Sequence, residues 1–249
     1  MSYSENIRKT LRLFMRNLGT ILLVYLILSL IGFITASTLN ISFGFNILDK
    51  SNIQSMAKDL ANDSSTKSFF YTLLQGTLSL SILGTNQIGL LNLLRGGGYS
   101  INGLVEIFKN NYKDILLVAF LITFISKLVG LIPILGGIVA IIASLAFCFS
   151  FFLIYDFKAK GPDSYLKGSA NLTNGQKLRL FILNIIYGFV PIVLGAVLII
   201  TSIISKSLSL GIGGIIVSIL LLTLTSLLST IGQSVYYDEL IKEKDPTAL

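Results

Sequence analysis

The stretch from Ile115 to Phe157, ILLVAFLITFISKLVGLIPILGGIVAIIASLAFCFSFFLIYDF, is almost continuously apolar over 43 residues. At about 1.5 Å per residue, one helix of that length would overshoot a hydrocarbon core of about 30 Å roughly twofold. Pro133 and Gly136-Gly137 supply a break, because proline lacks the amide donor and clashes with the preceding turn. The stretch therefore reads as a helical hairpin, Ile115 to about Ile132 and then Ile134 to about Tyr155. Lys127 lies toward the far end of the first arm and can snorkel to the interface.

The rest of the chain repeats this character. Hydrophobic residues make up 53% and charged residues 12%, about half the share in an average soluble domain. Mean hydropathy is +0.81. The bilayer is the expected solvent for most of the surface, and the fold class is an all-α polytopic membrane protein with about six transmembrane helices. Leu18 to Leu39 carries no formal charge and is long enough for a first span. It ends in Ala36-Ser37-Thr38, so a cleaved leader is a minor alternative. A second span covers Ser68 to Leu94 and stops at Arg95-Gly96-Gly97-Gly98, a glycine run that ends a helix. Two more run from about Leu180 to Ile204, with a kink expected at Pro191, and from Ile212 to Gly232.

The 249 residues read as a single integral membrane domain with three polar sections. Residues 1–17 form an amphipathic segment, with Ile7, Leu11, Phe14 and Leu18 on one face and Arg8, Lys9, Arg12 and Arg16 gathered opposite. It should lie in the headgroup region with those four cations, and Arg95, on anionic lipid headgroups. Residues 40–67 form a long polar extracytoplasmic loop, and 156–179 a basic cytoplasmic loop. Within the latter, Pro162-Asp163 suits a helix start and Asn174-Gly175 a turn. Residues 101–114, with Leu104, Val105 and Phe108 on one side, read as another interfacial helix.

Charge sets the orientation. Fourteen of the nineteen basic residues fall on the N-terminus, the Arg95 connection, the Lys158 connection and the tail. That bias places both termini in the cytoplasm and the chain in the cell membrane as a multi-pass protein, and it requires an even number of spans. The net charge of +7 sits at span ends, not along one soluble face, so nucleic acid is not an expected partner.

Histidine and tryptophan are absent, and the single cysteine, Cys148, lies in an apolar run. Imidazole acid–base chemistry and His-based metal sites are therefore excluded. No residue pattern marks a catalytic centre, a cofactor or a metal, and the expectation is a protein that is not an enzyme. Within the spans, Gln75, Asn86, Gln87 and Lys127 are the candidates for lining a polar cavity. Interhelical hydrogen bonding is the plainer role for the three amides. No carboxylate falls inside an apolar run, which disfavours a proton-coupled pump.

Four stretches carry a resemblance: IGLLNLLRGGGYSINGLVEIFKNNYKDILL from Ile88, LIPILGGIVAIIASLAFCFSFFLIYD from Leu131, YLKGSANLTNGQKLRLFIL from Tyr165, and VYYDEL at Val235 to Leu240. Together they resemble domain-of-unknown-function family 975, uncharacterised bacterial membrane proteins. The matching features are the Arg95-Gly96 exit, the Ile-Pro hairpin ending near Asp156, the Ser169-to-Gly175-Lys177 segment and the aromatic ending. The tryptophan expected after the Gly-Lys segment is missing. The resemblance implies six spans and an association with lipid or the envelope, and it supplies no activity. The resulting expectation is a non-enzymatic protein of the bacterial envelope, serving envelope maintenance or immunity to a membrane-active toxin. The rival is the membrane subunit of a transporter or exporter working with a separate ATPase, with 101–112 and 163–173 as coupling segments.

Overall fold

A computed structural model describes residues 2–42, 66–130, 132, 135–158, 160–187 and 208–243. Among these, all regular structure is helical. In chain order the helices are α1 (Tyr3–Arg16), α2 (Leu18–Ser42), α3 (Thr66–Leu94), α4 (Ile101–Gly130), α5 (Leu135–Phe147), α6 (Ser150–Asp156), α7 (Pro162–Thr173), α8 (177–187) and α9 (Leu208–Glu243). Most of the expected polar loop, the Pro191 kink and the greater part of the fifth expected span lie outside the described residues.

Among the described residues, two helical stretches are long and apolar enough to cross a membrane, Leu18–Leu39 at mean hydropathy 2.4 and Gly136–Asp156 at 2.6. α3 is diluted by Gln75, Asn86 and Gln87. The apolar run of α4 is bracketed by Lys113-Asp114 and interrupted by Lys127.

The hairpin expected around Pro133 is present. α4 ends at Gly130, α5 begins at Leu135, and the two pack together. A Cβ on Gly136 would sit 2.5 Å from the Val129 carbonyl oxygen, so this reversal needs glycine there. The separate interfacial helix expected over 101–114 is instead the first half of α4, a continuous helix of 30 residues, about 45 Å. No breaker stands between Tyr112 and Ile115, so the amphipathic and apolar halves join without a turn.

α3 ends as its glycines require. Gly96 has φ +89°, the Gly97 amide donates to the Asn92 carbonyl at 2.8 Å, and the Gly96 amide donates to Leu93 at 3.1 Å. This pair of bonds closes a Schellman motif with Arg95 at the C-cap.

The core is built around α6. Ser150, Phe151, Phe152, Leu153 and Ile154 are all buried, with α3, α4, α7 and α9 supplying the walls. Phe152 stacks on Tyr237 of α9 at 4.9 Å between centroids. α7 begins at Pro162, where the sequence places a helix start, and Gly175 turns the chain after it with φ +77°. The basic section 156–179 is not a free loop, because Tyr165, Leu166, Ser169 and Leu172 are buried in this core. A second apolar cluster joins Phe14, Ile21 and Val24 to Leu90, Leu104, Leu227 and Ile231.

α1 differs from expectation in which face it buries. Asn6, Thr10 and Phe14, spaced four apart, are the buried residues, and Leu11 is exposed. The reason is a set of polar contacts to distant helices. Asn6 donates to the Gly232 carbonyl at 3.2 Å, and the Tyr187 hydroxyl lies 2.7 Å from Asn6 Oδ1 and 2.9 Å from Thr10 Oγ1. These bonds satisfy groups that would otherwise be buried alone, so a polar face docks where an apolar one was expected.

Candidate functional site

Two polar sites stand out against this apolar background. The first is a groove of about 620 Å³ between α3 and α4. α3 lines it with Thr72, Gln75, Gly76 and Ser79, which share one face at helical spacing. α4 contributes Thr123, Ser126, Lys127 and Gly130 from its last turns. A Cβ on Gly76 would meet Thr123 Cγ2 at 2.6 Å, so the helices touch there and form the floor. Ser79 and Ser126 are exposed, while Gln75 and Lys127 are half-buried. Lys127 has no salt-bridge partner among the described residues.

The four residues expected to share a cavity are thus divided. Gln75 and Lys127 line the same groove. Asn86 is buried about two turns further along α3, where its Oδ1 accepts a hydrogen bond from the Tyr99 hydroxyl at 2.5 Å. It borders a second, smaller space of about 220 Å³ with Tyr25, Ser29 and Ser79. Gln87 lines neither space, and its buried Oε1 has no hydrogen-bond partner among the described residues. Thr123 and Ser126 were missed from the sequence because hydroxyls in an apolar helix ordinarily bond their own backbone.

The second site is a cluster of charges where α3, α6 and α9 end. Arg95 donates through Nη1 and Nη2 to the two oxygens of Asp156, at 2.6 and 3.1 Å, and through Nε to Asp238 at 2.8 Å. The Tyr237 hydroxyl donates to Asp156 Oδ2 at 2.8 Å, and Lys242 donates to Asp238 Oδ2 at 2.6 Å. Burial pushes the Asp238 carboxyl up, but the hydrogen bonds from Lys242 and Arg95, with their charges, outweigh it and hold the group below the usual range. Burial and the neighbouring Asp156 charge keep the Tyr237 hydroxyl protonated well above its ordinary value.

Arg95 was expected beside a lipid phosphate. Its guanidinium is instead engaged by two carboxylates of the chain itself, a fork geometry arginine suits. Lys9 also differs, being held 2.8 Å from Glu239 and 3.2 Å from Glu5. The Glu239 hydrogen bond raises the Lys9 ammonium above its ordinary value despite some burial. Arg8, Arg12 and Arg16 remain exposed on α1. Arg95 holds both carboxylates, Lys242 also holds Asp238, and the Tyr237 hydroxyl also holds Asp156, an arrangement that joins helix ends. Among the described residues, no group of three or more His, Cys, Asp or Glu is arranged to hold a metal ion. Compared with protein-family models, curated proteins and solved structures, the chain matches none of them.

Proposed function

We propose that this chain is a six-span protein of the bacterial cell membrane, with both termini in the cytoplasm, which serves the envelope without catalysing a reaction. One observation carries the membrane reading: large apolar side chains stand exposed along whole helices. On α2, Leu23, Leu26, Leu30, Phe33 and Ile34 are each more than half exposed, and only 11% of its apolar window is buried. α5 exposes Ile138, Ile141 and Ile142, and α4 exposes Leu117 and Phe120. Contiguous apolar surface on this scale is not left facing water.

The cytoplasmic assignment is supported by the charge bias and by the gathering of Arg95, Asp156, Asp238 and Lys242 at one end of the bundle. The envelope role is supported by the α1 cations Arg8, Arg12 and Arg16, whose exposed side chains suit anionic lipid. Maintenance of the membrane, or protection from an agent that attacks it, is the form that role takes. The rival reading, a permease driven by an ATPase, needs a coupling helix open to a partner. α7 has half its residues buried, and 101–112 are the first turns of α4, which weighs against it.

Because Cys148 is the sole thiol, replacing it with serine allows single-cysteine topology mapping. Cysteines at Ser2 and at Thr247 should react with an impermeant maleimide only after the cells are opened. One at Ser51 should react in intact cells. Labelling of the two ends from opposite faces would defeat the six-span arrangement. Transport of a solute by the purified protein alone in vesicles would defeat the proposed role.

A further inference from the structure

The groove between α3 and α4 is a built polar surface on a helix pair whose neighbouring residues are apolar. Resting on the membrane reading above, we infer that it binds the phosphate headgroup of an anionic lipid, with Lys127 as the charge partner. An ionisable side chain in a membrane-facing helix is costly unless its charge is met. Here the ammonium is half-buried and no carboxylate among the described residues lines the groove. The remaining polar groups are hydroxyls and one amide. Gln75, Ser79 and Ser126 are placed to donate alongside Lys127, the set that an oxyanion with several acceptor oxygens satisfies. A cation would meet like charge in the groove, and a neutral ligand would leave the ammonium uncompensated.

The size and the surroundings select the lipid over a free anion. About 620 Å³ is within the range of sites for molecules much larger than inorganic phosphate. The missing side chain of Gly130 leaves one end of the groove open. Phe70 and Leu74 on α3 and Leu128 on α4 are exposed close by in sequence, offering apolar flanks on which acyl chains can lie. A ligand matching both surfaces has a charged head and a greasy body.

The absence of tryptophan gives a clean reporter. Leu128→Trp, exposed beside Lys127, is reconstituted in phosphatidylcholine vesicles containing a small fraction of brominated phosphatidylglycerol or, separately, brominated phosphatidylcholine. Local enrichment of the anionic lipid by about fivefold, the factor one lysine's attraction gives, should make its quenching the stronger. Adding Lys127→Gln should equalise the two lipids, and Lys127→Arg should preserve the difference. Phe33→Trp on α2, 70% exposed, should show no preference. Equal quenching at Leu128→Trp, a preference that survives Lys127→Gln, or the same preference at Phe33→Trp overturns the inference. So does loss of the preference on adding millimolar glycerol phosphate, which would assign the groove to a free anion. If neither brominated lipid quenches either reporter, the membrane reading itself fails.

Discussion

Arg95 holds together three helix ends that are distant in sequence. It is the C-cap of α3, where a cation suits the helix dipole, and it also neutralises Asp156, an anion at the unfavourable C-terminal end of α6. Removing it would leave Asp156 to the Tyr237 hydroxyl without a cation and Asp238 to Lys242, and the two side chains are only 16% and 10% exposed. Arg95→Gln is therefore expected to cost about 2–4 kcal/mol, somewhat below a fully buried pair because Arg95 remains partly open to solvent. Thermal unfolding in detergent measures it. The pH dependence follows from Asp238. Its carboxyl is held below the ordinary value of about 3.9, so its stabilising contribution is complete above that pH and is lost as pH falls through the lower, folded-state value. The stability advantage of the wild type over Asp238→Asn should hold constant from pH 7 to about pH 5 and shrink below about pH 4. An advantage that grows on acidification would contradict the pairing.

At the scale of elements, the break between α5 and α6 is bridged by one hydroxyl. The fully buried Ser169 of α7 donates to the Ala146 carbonyl at 2.7 Å and accepts from the Phe149 amide at 3.1 Å. Both backbone groups lie at the discontinuity in the helix, where the regular ladder leaves them unmet. Ser169→Ala should cost about 1–3 kcal/mol and speed hydrogen exchange at the Phe149 amide, while changing exchange in α2 little. Unaltered exchange at Phe149 would remove this role. The sequence foretold elements with local signals: Pro133 for the hairpin, Gly96 for the end of α3, Pro162 and Gly175 for the bounds of α7. It could not foretell the Ser169 bridge, the docking of α1 through Asn6 and Thr10, or the Arg95 cluster. Arg95 meets partners 61 and 143 residues away, and periodicity along a single helix carries no information about such pairings. Candidate groove residues divided in the same way. Lys127 and Gln75 were visible as polar exceptions in apolar runs, whereas Asn86 and Gln87 looked identical in sequence and face elsewhere.

At the scale of the whole molecule, the question is which solvent surrounds it, and one substitution separates the answers. Leu26 is 69% exposed on α2, and it lies near the middle of the Leu18–Leu39 window. If water bathed that surface, Leu26→Lys would be an ordinary surface change, within about 0.5 kcal/mol of neutral. In a bilayer the same lysine sits near the centre of a span, where insertion costs about 2.5–3.5 kcal/mol more. The packing of α2 on its neighbours runs through Ile21 and Val24, both buried, so the substitution leaves the interior untouched. The expected outcome is a protein whose folded core is preserved but whose membrane-integrated fraction, resistant to alkaline carbonate, falls severalfold. Ser37→Lys, close to the end of the same window, should fall less, because a lysine there reaches the interface. A depth-dependent loss of this kind has no counterpart in a water-facing helix, where the two lysines would be equally harmless. Equal carbonate resistance for Leu26→Lys, Ser37→Lys and the wild type would return α2 to water, and the six-span arrangement with it.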